Sequence, residues 1–238
     1  MKNTDEIKEV LEFAEKNKLK IFILGGGSNL LISDKGFDGL VIRITNHESR
    51  ITDDRIFVGA GVSLSELVSE SVKNNLTGLE WTAGIPGTVG GAVVDNAGAY
   101  NKSMSDVVEW MEVLDIGYWI LRNKEIGNWK LEIRKLDNKQ CQFSYRDSVF
   151  KKEKKFIILS AVLKLEKGNQ DKSRRMIAEI LKSRKEKQPL EYPSAGSVFK
   201  NLVIDDGHFK KLIKKYPELK NIIKNNIIPA GWLIEKAD

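Results

Sequence analysis

The sequence predicts an α+β fold, and three observations carry that expectation. Capped amphipathic helices alternate with short apolar runs up to Lys73, a glycine-dense stretch occupies residues 78–100, and strand-like runs recur between residues 107 and 165. With 238 residues, 41% hydrophobic and 30% charged, the chain has a globular composition and enough length to bury a core as one large domain or two modest ones.

Asn3 followed by Glu6 reads as a capping box, and Ile7, Val10, Leu11 and Ala14 then recur at helical spacing, so a helix opens the chain. Ile21-Phe22-Ile23-Leu24 is a short buried-strand signal. Gly25-Gly26-Gly27-Ser28-Asn29 then forces a sharp turn before the apolar Leu30-Leu31-Ile32. More strand is expected at Leu40–Ile44 and Arg55–Val58. Ser63 with Glu66 forms a second capping box, ahead of an amphipathic helix on Leu64, Leu67, Val68 and Val72.

Six glycines, at 78, 84, 87, 90, 91 and 98, crowd the next stretch, a backbone built for close approach. Strands are expected at Val107–Ile116, near Gln142–Tyr145 and, in partial alternation, at Ile157–Leu165, with a polar insert carrying Trp119 and Trp129 between the first two. Met176, Ile177, Ile180 and Leu181 mark a third helix ending before Pro189. A second loop, Tyr192 to Ser197, introduces the last segment, where Trp232, Leu233 and Ile234 begin a helix with no later apolar partner.

The net charge of +6 is local, since residues 151–187 hold 13 Lys and Arg against 5 Asp and Glu. A solvated basic face accounts for this, with attraction of an anionic substrate as the other reading; no motif supports nucleic acid as a partner. One cysteine, Cys141, precludes an internal disulfide, and His47 and His208 without paired cysteines leave no zinc cluster, so no metal is expected. No apolar run approaches the roughly 20 residues of a membrane span and the amino terminus opens with charge, so a soluble, cytoplasmic chain is expected.

A glycine turn after a strand offers backbone N–H groups to phosphate oxygens, which suits Gly25 to Asn29, with an ordinary glycine turn as the alternative. It is not the dinucleotide fingerprint, because Leu30 stands where the third glycine belongs, and no P-loop lysine follows. The run Gly84-Ile85-Pro86-Gly87-Thr88-Val89-Gly90-Gly91-Ala92 is more demanding, since each glycine costs about 0.5–1 kcal/mol in regular structure. A long cofactor laid along the backbone would compensate; a glycine-lined packing contact is the alternative.

These two segments, with Asn96-Ala97-Gly98-Ala99-Tyr100, Tyr145-Arg146-Asp147-Ser148-Val149-Phe150 and Pro193-Ser194-Ala195-Gly196-Ser197-Val198-Phe199-Lys200-Asn201, stand in an order that closely resembles the UDP-N-acetylenolpyruvoylglucosamine reductase family. The resemblance runs from about residue 5 to the end. It implies the FAD-binding fold of the vanillyl-alcohol-oxidase/PCMH type in two lobes, about 1–45 and 46–167, a connecting helix over 168–188 and a partial substrate-binding domain over 189–238. It further implies FAD as cofactor and NADPH as electron donor, in the reduction of UDP-N-acetylenolpyruvoylglucosamine to UDP-N-acetylmuramate for peptidoglycan synthesis, and with it cell-wall biogenesis, shape and division.

By the same resemblance Ser197 is the proton donor and Arg146 the clamp on the substrate carboxylate. The cofactor-binding residues are Gly25, Gly26, Gly27, Ser28, Asn29, Leu30, Gly84, Ile85, Pro86, Gly87, Val89, Gly90, Gly91 and Ala92. Tyr145, Lys187 and Asn201 are the substrate-binding set. The sequence departs from the family pattern in four places. It stops before the family's carboxyl-terminal catalytic glutamate, whose motif Glu235 does not share; it starts after the amino-terminal flavin-contacting strand; and Leu202 replaces a usual proline. Residues 117–139 also look longer than usual. A chain truncated at both ends is expected, with a catalytically impaired FAD-binding fragment as the alternative to an active reductase.

Overall fold

The computed structural model describes residues 4–117, 131–189, 191–223 and 226–237. Two compact units are present, Met1–Ser194 and Ala195–Asp238. In the first, helix α1 (Thr4–Lys16) buries Ile7, Leu11 and Ala14, the face its periodicity predicts, with Asp5 and Glu6 in its first turn and Lys16 in its last, as the helix dipole favours. Asn3, the expected cap, lies outside the described residues. Strands β1 (Ile21–Leu24) and β2 (Leu40–Arg43) pair in parallel. A two-stranded pair covers less than a full sheet does, so β1 is half-buried rather than enclosed as expected, and Leu30-Leu31-Ile32 forms no strand, leaving Leu31 96% exposed.

The second layer is a five-stranded antiparallel sheet. Strands β3 (Ser49–Thr52) and β4 (Arg55–Gly59) form a hairpin, and helix α2 (Leu64–Lys73) follows, its Ser63 and Glu66 reciprocally capped. A short strand β5 (Leu76–Thr77), a 3-10 turn at Glu80–Thr82, helix α3 (Val89–Val94) and the small hairpin of β6 (Gly98–Ala99) and β7 (Lys102–Ser103) come next. Strands β8 (Val108–Asp115), β9 (Glu132–Asp137) and β10 (Phe156–Lys164) complete the sheet in the order β3-β4-β10-β8-β9.

Strand β10 is buried continuously from Ile157 to Leu163 instead of alternating, because it is the central strand and is covered on both faces. The stretch Gln142–Tyr145 is not a strand. Gln142 (φ 47°) and Arg146 (φ 54°) take left-handed backbone that a ladder cannot accommodate, and Ser144 and Asp147 close a tight turn through N–H···O bonds of 3.0 and 3.2 Å. Trp119 and Trp129 lie outside the described residues. A short helix, Val149–Glu153, packs on β10, strand β11 (Glu166–Lys167) pairs with β5, and the helix Gln170–Lys187 packs on α2 and the Glu80 turn, burying Ile180 but leaving Met176 and Leu181 largely exposed.

In the second unit, strands β12 (Leu202–Val203) and β13 (Ile227–Ile228) pair antiparallel beside helices Asp206–Lys215, Leu219–Ile222 and Ala230–Glu235. Its small core is Leu219, Ile223 and Ile228. Trp232 and Leu233 pack on this core through partners that precede them in the chain, the Trp232 ring edge-on to Tyr216 at 5.4 Å, while Ile234 stays exposed. Among the described residues, no helix is long and apolar enough to cross a membrane.

Candidate cofactor site

The two glycine bends meet. A methyl group on Gly25 would lie 2.7 Å from Thr88 Oγ1, and one on Gly26 would lie 3.1 Å from Gly87 Cα, so a side chain at either position would force the facing bend to shift. Ser28 Oγ donates to Pro86 O at 3.0 Å and Asn29 Nδ2 donates to Asp95 Oδ2 at 3.0 Å, tying the bends across the sequence. Among the described residues, the backbone N–H groups of Gly26, Gly27, Ser28, Gly87 and Thr88 have no partner. Successive free amides on glycine turns are the donor set that phosphate oxygens accept from, so the residues present fit the pyrophosphate of a dinucleotide cofactor.

Within the second bend the residues divide. Gly84, Pro86 and Gly91 are exposed, and Ile85, Gly87 and Thr88 are half-buried. Val89, Gly90 and Ala92 are buried, with the Val89 and Gly90 amides donating at 2.9 Å to Val62 O and Ala60 O. A methyl on Gly90 would reach within 2.9 Å of Ala60 Cβ, so close packing explains that glycine without a ligand. Thr88, within the same glycine run, caps α3 through a 3.4 Å bond from Gly91 N. Leu30 is 41% exposed, and Arg184 lies against Gly84.

Arg146 sits at the tip of the Ser144–Asp147 turn with its guanidinium donating to Gly98 O at 2.6 Å and 5.9 Å from the ring of the exposed Tyr145. Its five N–H donors leave capacity for a carboxylate beyond that single bond. Three contacts from the end of α3 hold the turn: Ser148 Oγ donates to Val94 O at 2.6 Å, Asn96 Nδ2 to Ser144 O at 2.9 Å, and Lys151 Nζ to Asp95 Oδ1 at 2.5 Å. Sequence reading missed Asp95 and Lys151, although each adjoins a recognised motif. Their pairing spans 56 residues and has no local signature.

Lys187 ends the helix Gln170–Lys187 and is exposed. Ser197 and Asn201 belong to the second unit. Ser197 lies on an exposed loop after Gly196 (φ 87°), between chain neighbours that leave Val198 90% exposed. Asn201 Oδ1 accepts from Ala230 N at 3.0 Å, binding its loop to the start of the helix Ala230–Glu235.

Two buried titratable groups serve the frame. Burial opposes ionisation of Glu80, but hydrogen bonds from Ser173 Oγ (2.5 Å), Thr77 Oγ1 (2.6 Å) and Gly78 N (2.8 Å) outweigh it and hold its pKa below the ordinary carboxylate value. Glu80 thereby locks the helix Gln170–Lys187 to the turn that leads into Gly84. Burial, with the Asp137 charge, pushes the Cys141 thiol up to about 12, far from a reactive thiolate.

Comparison with known proteins matches residues 1–117 to a family described as FAD binding domain. A UDP-N-acetylenolpyruvoylglucosamine reductase of Caldanaerobacter subterraneus subsp. tengcongensis is 43% identical over 82% of this chain and 61% of its own length. One of Clostridium novyi is 38% identical over 98% of this chain and 72% of its own length. The chain belongs to the UDP-N-acetylenolpyruvoylglucosamine reductase family. The crystal structure of the family member from Thermus caldophilus is similar at 34% identity and TM-score 0.64, covering 81% of this chain and 65% of that one. A solvent-stable cholesterol oxidase, 16% identical with TM-score 0.50, shares the fold, the FAD-binding α+β fold of the vanillyl-alcohol-oxidase/PCMH type. The chain spans 61% of the Caldanaerobacter relative and 66% of one from Clostridium tetani.

Proposed function

We propose that this chain binds FAD and, with NADPH as donor, reduces UDP-N-acetylenolpyruvoylglucosamine to UDP-N-acetylmuramate, a cytoplasmic step in supplying peptidoglycan precursor. The observation that carries the reading is the apposition of the two glycine bends, with their free amides and with Arg146 held from the far end of the same helix that the second bend starts. Bound FAD would supply the two-electron chemistry. Gly25 to Asn29, Leu30, Gly84 to Gly87 and Gly91 would hold it, while Val89, Gly90 and Ala92 set the bend's distance from β4.

Arg146 would grip the substrate carboxylate, where a permanently charged fork also stabilises negative charge as it develops. Ser197 would donate the proton. A hydroxyl is a weak acid, but an enolate-type centre is strongly basic, so a neutral donor at hydrogen-bond distance suffices and contributes about 10²–10⁴-fold. Tyr145, Lys187 and Asn201 would contact the UDP-sugar.

The purified chain is expected to carry, or take up, flavin absorbance, and to turn over NADPH continuously only when the enolpyruvyl sugar nucleotide is present. Ser197→Ala should abolish product while sparing flavin reduction by NADPH, a loss of about 10²–10⁴-fold. Product formation unchanged by that substitution overturns the proton-donor role, and flavin binding without substrate-dependent oxidation restricts the chain to cofactor binding.

A further inference from the structure

Asp95 is shared by two elements with different proposed tasks. Its Oδ2 accepts from Asn29 on the first glycine bend, and its Oδ1 accepts from Lys151, whose Nζ also lies 3.5 Å from Arg146 O. The neutral bonds to Val94 O and from Asn96 run beside this charged link. All of them spring from the carboxyl end of α3, whose other end is capped by Thr88 in the second bend. Six residues long, α3 spans about 9 Å, a short strut between the cofactor bends and the arginine turn.

The turn needs such support. Arg146 holds φ 54°, a backbone region that a non-glycine residue keeps only when its surroundings over-determine it. Both partners of the ion pair are partly screened from water, Asp95 at 29% and Lys151 at 40% side-chain exposure, and their bond is charge-assisted. Asn29 joins Asp95 to the first bend, so ordering of that bend is felt by the carboxylate and, through Lys151, by the Arg146 backbone.

We infer that Asp95 is a positioning residue that couples occupancy of the glycine bends to the conformation of the Arg146 turn, so that FAD binding prepares the carboxylate clamp. This rests on the function proposed above, and by linkage carboxylate binding at Arg146 would tighten FAD by the same factor. Asp95→Asn keeps an oxygen for Asn29 and removes the charge that holds Lys151; Lys151→Met removes the other partner from a half-buried site and keeps an apolar stem there, and serves if the first variant unfolds.

The test is amide hydrogen exchange across residues 142–150 in the full chain, with and without saturating FAD, beside titration of FAD affinity. In the wild type, FAD should slow exchange of this segment about fivefold or more. Both variants should bind FAD within about threefold of wild type yet lose the FAD-dependent slowing, and the double variant should be no worse than either single one. A stability defect alone would not remove a response to FAD. Retention of the slowing in either variant with FAD bound overturns the coupling, as does FAD binding that leaves the wild-type segment unchanged. Failure of the wild type to bind FAD would refute the proposed function and the coupling with it.

Discussion

Gly26→Ala tests the meeting of the two bends where no side chain can give way. The new methyl would stand 3.1 Å from Gly87 Cα and 3.6 Å from both Gly87 C and Thr88 N, all backbone atoms. Carbon atoms rest at about 3.5–4.0 Å, so the bends must part by a few tenths of an ångström. Overpacking of this kind costs about 1–3 kcal/mol. If the cofactor requires the close arrangement, the cost falls on the bound state and weakens FAD by about fivefold to 150-fold. Titration of apoprotein with FAD, followed by quenching of flavin fluorescence, measures the loss, and the urea midpoint of the apoprotein reports any general destabilisation. Gly231→Ala, with no atom within 4 Å of the new methyl, should leave FAD affinity unchanged. A folded Gly26→Ala protein with wild-type FAD affinity would refute the argument that the bends form one cradle.

Two further outcomes are expected. Ser173→Ala removes a 2.5 Å bond from the buried Glu80 carboxylate and should destabilise the first unit by about 1–3 kcal/mol at neutral pH. Because the folded-state pKa of Glu80 is lowered, its stabilising contribution is complete above the ordinary glutamate value and is lost as pH falls through the folded value. The gap between variant and wild-type urea midpoints should therefore shrink on acidification; a gap independent of pH rejects the role given to Glu80. Cys141, fully buried with its thiol pushed up to about 12, should resist a thiol-specific reagent at pH 8 in the native chain and react once unfolded in urea; rapid native labelling contradicts that burial.

Much of the fold is legible in short windows. The Ile7-Leu11-Ala14 spacing specifies the buried face of α1, and Ser63 with Glu66 places the start of α2, because a cap and a helical face are completed within a few residues. Other stretches misled for one reason. Apolar character in Leu30-Leu31-Ile32 and in Gln142–Tyr145 suggested strand, but a strand also needs a neighbour on its edge and backbone free to extend, neither of which composition records. The packing of Trp232 against Tyr216 likewise depends on a partner outside its own helix.

The site divides along the same line. By itself the sequence determined which residues could form phosphate-binding turns and which arginine and serine stand in the family's motifs, since glycine spacing and side-chain chemistry are local properties. Only the tertiary structure decided that Gly26 touches Gly87, that Gly90 packs on Ala60 while Gly91 is exposed, and that Asp95 joins Asn29 to Lys151. Those relations hold between residues brought together by packing of the parallel pair, α3 and the central sheet. Their partners lie tens of residues away in the chain, where no periodicity or cap can announce them.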